Sequence, residues 1–154
     1  SWNAFYMCSK LEQITIPSFV TLINSCLCYE CSSLNEIIMP NSILLIETCS
    51  FFKCTALTKI TLSSSIKYIN KYAFSYCSKL NELIIPPSVI FIGKKAFKGC
   101  ESLTDIILPE SIILIGKAAF KKCSSLKQIT LSPSKNSIDN KSNDESIDKL
   151  FENK

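Results

Sequence analysis

The fold is decided by the stretch Pro86-Pro-Ser-Val-Ile-Phe-Ile-Gly-Lys-Lys-Ala-Phe-Lys-Gly-Cys100, which recurs as Pro109-Glu-Ser-Ile-Ile-Leu-Ile-Gly-Lys-Ala-Ala-Phe-Lys-Lys-Cys123. The period is 23 residues, and cysteines mark it in equal steps at Cys8, Cys31, Cys54, Cys77, Cys100 and Cys123. A fixed period of this length is typical of a solenoid, in which each coil is one structural unit. We therefore expect a stack of coils in which like side chains form vertical columns.

Each marker cysteine is followed by a short apolar segment that predicts a strand. Leucine comes three residues after the cysteine, and two further apolar residues then alternate with one other residue, as in Leu83 and Ile85. Such alternation has period 2 and places one face of a strand inward. Proline ends the segment in four coils, because it donates no hydrogen bond to a ladder, while Ser63 and Ser132 replace it in two.

A second β-branched segment follows, with isoleucine in each coil, and predicts a second short strand or an extended arm. The next column is Asn24, Glu47, Asn70, Gly93 and Gly116. Four of these five residues are types that tolerate a left-handed backbone, so we expect a sharp corner there. The Ala-Phe pair that follows, as in Ala96-Phe97, lies three residues before the cysteine and suits a single helical or 3₁₀ turn that buries the phenylalanine.

Length and composition predict one domain of coils with a polar tail. Of the 154 residues, 47% are hydrophobic, which is enough to build a core. The coils are expected over residues 1–132, and residues 133–154 are expected to form a polar linker and a C-terminal capping helix or a disordered tail. No apolar run approaches the ~18 residues of a membrane span. Because Ser1 enters partway through a repeat, we expect this chain to be a piece of a longer protein.

The repeated unit resembles that of a known family. The pattern L-x-x-[IL]-x-I-P-x-S-V-x-x-I-G-x-x-A-F-x-x-C, read from Leu80 to Cys100, is similar to the BspA-like leucine-rich repeat of surface-associated proteins in bacteria and some parasitic protists. The resemblance implies a right-handed leucine-rich-repeat solenoid with short parallel strands. It also implies an adhesion or protein-binding function at the cell surface or in secreted form, with host or extracellular-matrix proteins as partners. Cys28 departs from the pattern in the phenylalanine column, and Glu47 departs from it in the corner column.

The residue inventory argues against an enzyme. The chain has no histidine, which removes the commonest general base, and its three glycines form no phosphate-binding loop. We therefore predict no catalytic residues, no cofactor and no metal.

The cysteines leave several alternatives open. A column of buried free thiols is the expected arrangement for the marker cysteines, because free cysteine is among the most buried residue types. Neighbouring coils are nevertheless close enough for disulfides. Cys26, Cys28 and Cys31 form a C-x-C-x-x-C pattern, and Cys49 lies one coil beyond Cys26. A zinc site made by these four and a Cys26–Cys49 disulfide are both alternatives to free thiols.

Two sets of residues are candidates for binding a partner. The first set is apolar or uncharged and is expected to face outward as a stripe about 20 Å long: Ile38, Thr61, Ile84, Ile107, Tyr68, Phe91 and Leu114. The alternative is that the members in the second segment point partly inward or are covered by the neighbouring coil. The second set is a strip of lysines along the corner and turn: Lys71, Lys94, Lys98, Lys117 and Lys121.

The lysine strip is either a solvated face or a binding site for an acidic glycan, an anionic membrane or nucleic acid. Nucleic acid is not predicted as a partner, because the formal charge is only +4 and no aromatic residues are expected between the lysines to stack on bases. The sequence thus predicts a non-catalytic protein-binding or adhesion module. The alternatives are a structural spacer within a longer surface protein and a polyanion binder.

Overall fold

Residues 3–132 are described by a computed structural model, and they form a leucine-rich-repeat solenoid of short parallel strands. The predicted linker and capping helix over residues 133–154 lie outside the described residues, so the domain boundary at residue 132 stays a prediction. Within residues 3–132 the coils contain strands and hydrogen-bonded turns but no helix. The single helical turn predicted before each cysteine is one of these turns, in which the cysteine N–H donates to the phenylalanine carbonyl, as in Cys100 to Phe97 at 3.3 Å.

Each complete coil contributes two short strands, which we number along the chain. They are β1 (Gln13–Thr15), β2 (Leu22–Ile23), β3 (Glu36–Ile38), β4 (Leu45–Ile46), β5 (Lys59–Ile60), β6 (Tyr68–Ile69), β7 (Glu82–Leu83), β8 (Phe91–Ile92), β9 (Asp105–Leu108), β10 (Leu114–Ile115) and β11 (Gln128–Leu131).

The strands pair in parallel with like residues side by side. First strands pair two by two, β1 with β3, β5 with β7 and β9 with β11. Second strands form one continuous sheet in the order β10-β8-β6-β4-β2. Ile14 pairs with Ile37 in the first set, and Ile69 pairs with Ile92 in the second. The predicted vertical columns are therefore confirmed, and the segment predicted as a strand or an arm is a strand.

The core is a set of vertical columns that runs through all the coils. Four phenylalanines lie one above another with nearly parallel rings, at centroid distances of 5.2, 5.4 and 5.5 Å, in the order Phe51, Phe74, Phe97 and Phe120. Cys28 occupies the same column in an earlier coil and is also fully buried. The leucines that follow the cysteines are buried from Leu34 to Leu126. The inward position predicted for the phenylalanines is thus confirmed.

The marker cysteines form a second buried column. The buried members are Cys31, Cys54, Cys77, Cys100 and Cys123. Each of these thiols donates a hydrogen bond to the carbonyl oxygen of the residue 26 positions earlier, at 2.9–3.3 Å. Cys8 is exposed, so the expectation that all six are buried was wrong at this position. The cause is that the first described coil has no described coil stacked on its outer side.

The predicted left-handed corner is in the wrong column. Positive φ angles occur two residues later, at Cys26, Cys49, Tyr72, Lys95 and Ala118, and again at the residue before each marker cysteine. Gly93 and Gly116 themselves do not have positive φ angles. Glycine is required at these two positions because the coils approach closely: a Cβ on Gly93 would lie 2.5 Å from the backbone nitrogen of Lys71.

Candidate binding surfaces

The outer side of the five-stranded sheet is apolar on nearly every coil. On each coil, the strand residue just before the inward isoleucine and the residue that precedes the strand are both exposed or half-buried. We call this surface the apolar face: Thr21 and Leu22, Leu44 and Leu45, Lys67 and Tyr68, Ile90 and Phe91, Ile113 and Leu114. One of the ten, Lys67, is charged. Ile113 is 82% exposed and Leu114 is 55% exposed, so the face is open at that end.

Three of the predicted partner-binding residues lie on the apolar face. Tyr68 and Leu114 are exposed, whereas Phe91 is half-buried with its ring centroid 6.5 Å from that of Tyr68. Of these three residues, Phe91 alone is partly covered, as the alternative for the second-segment residues had it. Sequence reasoning missed Leu44 and Ile113, which come one residue earlier in their coils. The signal was present as a second apolar column beside the first.

Phe19 is a further exposed aromatic residue that the sequence analysis passed over. Its side chain is 84% exposed. Other coils have serine at this position, and the Ser42 hydroxyl donates to the carbonyl oxygen of Val20 at 2.6 Å. Phenylalanine cannot make that hydrogen bond, so the break in the serine column was the available signal.

The remaining predicted partner-binding residues belong to the first strands or directly follow them, away from the five-stranded sheet. Ile38, Thr61, Ile84 and Ile107 all face outward and are exposed. The residue two positions before each is charged and also exposed, in the order Glu36, Lys59, Glu82 and Asp105. An ion pair of 2.7 Å joins Lys59 to Glu82. The structure thus divides the predicted stripe into two surfaces, and the first-strand surface mixes apolar with mainly acidic side chains.

The lysine strip lies on the turns of the last three described coils. Lys71, Lys94 and Lys117 are exposed, and Lys98 and Lys121 are half-buried. The strip also includes Lys95 and Lys122, which the sequence analysis did not single out. Three turns, residues 70–77, 93–100 and 116–123, therefore carry seven lysines and no acidic residue.

Two tyrosines lie among these lysines, so the expectation of no interleaved aromatic residues was wrong. The Lys95 ammonium group donates to the Tyr72 hydroxyl at 3.3 Å and lies 5.4 Å from the ring centroid. Lys98 lies 5.1 Å from the ring centroid of Tyr76. The hydrogen bonds from Lys95 and Lys98 lower the pKa of Tyr72 and Tyr76, respectively. Since ammonium groups lie over both rings, the tyrosines are poorly placed to stack on nucleic-acid bases.

A stack of aromatic rings occupies the equivalent turns of the earlier coils. Tyr6 stacks on Tyr29 at 4.9 Å, and Tyr29 stacks on Phe52 at 4.8 Å. At the end of the stack, Phe52 and Tyr76 pack edge to face, with their ring centroids 5.6 Å apart. An ion pair of 2.8 Å between Lys53 and Glu30 lies in the same turns. Turn chemistry therefore changes along the solenoid, from aromatic with paired charges to basic.

The four cysteines considered for zinc do not converge. Cys28 and Cys31 are buried, whereas Cys26 and Cys49 are half-buried. No three metal-binding side chains in residues 3–132 come close enough together to hold an ion. The nine cysteines, all within residues 3–132, are in the thiol form and not in disulfides.

No helix in the described part of the chain has the length and hydrophobicity needed to cross a membrane.

Similarity to known proteins agrees with this architecture. The model of the BspA type leucine rich repeat region matches residues 1–103 and 45–148, with six copies. No curated protein matches the chain. A leucine rich cell surface protein from Faecalibacterium prausnitzii A2-165 is 34% identical, with a TM-score of 0.74 and 80% of this chain covered. The Treponema pallidum (T. pallidum) leucine rich repeat protein is 28% identical, with a TM-score of 0.77 and 84% covered.

A third solved structure, the pneumococcal vaccine antigen PcpA, is 25% identical to the chain, with a TM-score of 0.66 over 78% of it. These proteins are longer: the chain spans 33% of the Faecalibacterium protein, 60% of the Treponema protein and 30% of the pneumococcal antigen. From its strand register, its stacked columns and these matches, the chain belongs to the BspA-type leucine-rich repeat family.

Proposed function

We propose that this chain is a non-catalytic protein-binding module of a surface-associated repeat protein, and that the apolar face is its binding surface. The observation that carries the proposal is the composition of that face. Nine of its ten residues are uncharged, although they are exposed or half-buried on five successive coils. Contiguous exposed apolar patches on soluble proteins commonly mark interaction sites.

The dimensions of the apolar face suit an extended contact. Five coils span four steps of about 4.8 Å, which makes the face about 19 Å long. Large side chains such as Tyr68, Ile113 and Leu114 supply apolar area that a partner would remove from water. Each such side chain contributes about 1.5–3 kcal/mol when it is fully buried. A few of them are therefore enough to anchor a partner.

The sheet beneath the apolar face favours binding without rearrangement. Parallel pairing continues from β2 through β10, so each strand is held by a neighbour. At the strand ends the Gly93 N–H donates to the Ile69 carbonyl at 2.7 Å, and the Gly116 N–H donates to the Ile92 carbonyl at 2.7 Å. A surface held in this way loses little conformational entropy when it binds.

The state of the titratable groups supports a non-catalytic role. The chain has no histidine. Burial raises the pKa of the Cys77 and Cys100 thiols, which keeps them in the poorly nucleophilic neutral form. Surface association is supported by the Faecalibacterium protein, which is described as a cell surface protein. Exposure at a cell surface would make host or extracellular-matrix proteins accessible as partners.

Binding of an acidic glycan is the second candidate function. Its support is the set of seven lysines and no acidic residue on the last three turns. Such a surface attracts sulfate and carboxylate groups. The ammonium groups over Tyr72 and Tyr76 favour a glycan over single-stranded nucleic acid, since both rings are occupied.

One binding experiment separates these functions. The chain is tested against purified extracellular-matrix proteins and a sulfated glycan, together with a double variant, Leu44→Asp and Ile113→Asp. We expect the double variant to lose at least about tenfold in affinity for a matrix protein, because a carboxylate would be buried against the partner. A matched control, Thr61→Asp and Thr130→Asp, adds the same charge to exposed positions at or directly after first strands and should bind like the wild type.

Salt provides the second arm of the experiment. Binding through the apolar face should change little between low and high salt, whereas glycan binding should weaken steeply. Binding that survives the Leu44→Asp and Ile113→Asp changes but is lost in Lys94→Ala and Lys117→Ala would replace the first proposal with the second. If neither class of partner binds, both binding proposals are contradicted and the alternative of a structural spacer is favoured.

A further inference from the structure

Cys26 and Cys49 occupy equivalent positions on two adjacent coils. Both have a left-handed backbone, with φ angles of 54° and 57°. The backbone N–H of Cys26 donates to the carbonyl oxygen of Thr48 at 3.0 Å, and the Cys26 sulfur lies 4.0 Å from the same oxygen. The side chain of Cys26 therefore reaches toward the coil that carries Cys49.

Cys26 and Cys49 are neighbours in one column. Burial raises the pKa of Cys49, and the neighbouring Cys26 thiol raises it further, mainly through charge repulsion. The Lys71 ammonium group acts in the opposite direction and favours the thiolate. Equivalent residues on paired coils lie about 4.8 Å apart, which is within the Cα separation of about 4.4–6.8 Å that a disulfide spans.

This pair differs from the marker cysteines in access. The thiols of Cys54, Cys77 and Cys100 are fully buried and donate to backbone carbonyl oxygens. Cys26 and Cys49 are half-buried, so a small reagent can reach them. The next residue in their column is Tyr72, and therefore the pair joins two coils and no more.

We propose that Cys26 and Cys49 are a covalent cross-linking site. Their disulfide joins the coil that ends at Cys31 to the coil that ends at Cys54, and it forms by exchange with a small-molecule disulfide such as oxidised glutathione. One protein thiol, as its thiolate, attacks the reagent and forms a mixed disulfide, releasing one glutathione thiolate. The second protein thiol loses its proton and attacks the protein sulfur of the mixed disulfide, releasing the second glutathione. Two protein thiols are oxidised and one glutathione disulfide is reduced to two glutathione molecules.

The cross-link would join two neighbouring coils covalently. Coils of a solenoid are stabilised by their contacts with neighbours, so a bond between two of them opposes their separation. A bond between Cys26 and Cys49 encloses the chain between them, including β3 and β4. Extracellular compartments supply oxidants of the required class, but the reaction itself depends on the geometry of the pair and not on the proposed binding function.

Peptide mapping tests the proposal. The variant Cys8→Ser removes the exposed thiol at the first marker position. The folded variant is treated with oxidised glutathione at about pH 8, the remaining thiols are alkylated, and the chain is cut after lysine and glutamate. Cys49 then lies in the peptide of residues 48–53 and Cys26 in the peptide of residues 13–30. We expect these two peptides to be linked in most molecules, with fragmentation placing the bond on Cys26 and not on Cys28.

Two further measurements complete the test. Adding Cys49→Ser should abolish the linked peptide, and adding Cys77→Ser should leave it unchanged. Oxidation should raise the thermal midpoint of the Cys8→Ser chain, and a reductant should reverse the rise, whereas the chain with Cys49→Ser should show neither effect. The proposal is overturned if Cys26 and Cys49 are still thiols after oxidation and are therefore alkylated. It is also overturned if each carries its own glutathione, or if the linked peptide forms only when the chain is unfolded in urea.

Discussion

The marker cysteine and the phenylalanine of the preceding coil form one repeating unit of the core. The Cys100 thiol donates to the Phe74 carbonyl at 3.3 Å, and the Cys123 thiol donates to the Phe97 carbonyl at 3.1 Å. A small side chain with a weak donor therefore fills the space beside the ring stack and also provides a partner for a carbonyl oxygen. Alanine would fill a similar volume but would leave that oxygen without the thiol donor.

Removing one ring from the stack tests how much the phenylalanine column contributes to the free energy of unfolding. Phe97 is fully buried between Phe74 and Phe120. We expect Phe97→Ala to lower the free energy of unfolding by about 3–5 kcal/mol, because neighbouring coils cannot close a cavity of that size. Urea unfolding measures the change. The matched control is Phe19→Ala, at a residue 84% exposed, and a loss of similar size in both variants would contradict the stacked core.

At the scale of the strands, the sequence was sufficient to predict the register. A 23-residue step aligns Gln13 with Glu36 and Lys59 with Glu82, as the structure shows. The sequence could not predict that the second strands form one continuous sheet while the first strands pair two by two, because apolar alternation and β-branching predict strands but not the continuity of their ladders. The glycine column was also misinterpreted. Sequence reasoning considered the φ preference of glycine, whereas the distance between stacked backbones decides the residue at Gly93 and Gly116.

A single methyl group tests this explanation of the glycine column. A Cβ on Gly93 would lie 2.5 Å from the Lys71 nitrogen and 2.6 Å from the Asn70 carbonyl carbon. Backbone atoms cannot move aside as a flexible side chain does, so we expect Gly93→Ala to lower the free energy of unfolding by about 1–3 kcal/mol.

The control for this variant is Asn70→Ala, in the same column one coil earlier. Asn70 already carries a Cβ, so alanine adds no atom and should cost less than about 1 kcal/mol. Thermal unfolding followed by circular dichroism compares the two. Equal effects would mean that the column is set by backbone conformation after all.

At the scale of the whole solenoid, the surface chemistry differs from side to side and from end to end. The second-strand side is apolar, the first-strand side combines isoleucines with Glu36, Glu82 and Asp105, and the later turns are basic. The sequence predicted these columns, because each follows from the period. It could not predict how far each side chain is covered. Exposure depends on the neighbouring coil, as the difference between Ile113 and the half-buried Ile90 shows.

The buried thiols also make the stability of the whole stack sensitive to alkaline pH. Burial raises the pKa of Cys28, Cys77 and Cys100 above the value of about 8.5 that a thiol has in an unfolded chain. Below that pH both states hold the proton, and the free energy of unfolding does not change on account of these groups. Above it the unfolded chain releases protons that the folded chain retains, so stability falls as pH rises.

Each such thiol contributes up to about 1.4 kcal/mol per pH unit to this fall. We expect urea unfolding, measured with a reductant present, to show a steep loss of stability between about pH 9 and pH 10. The variant Cys100→Ala removes one of the titrating groups, so its slope should be shallower than that of the wild type by up to about 1.4 kcal/mol per pH unit. Lysine and tyrosine titrate in both proteins and cancel in the comparison. Identical slopes would show that Cys100 ionises as readily in the folded stack as in the unfolded chain, which its full burial should prevent.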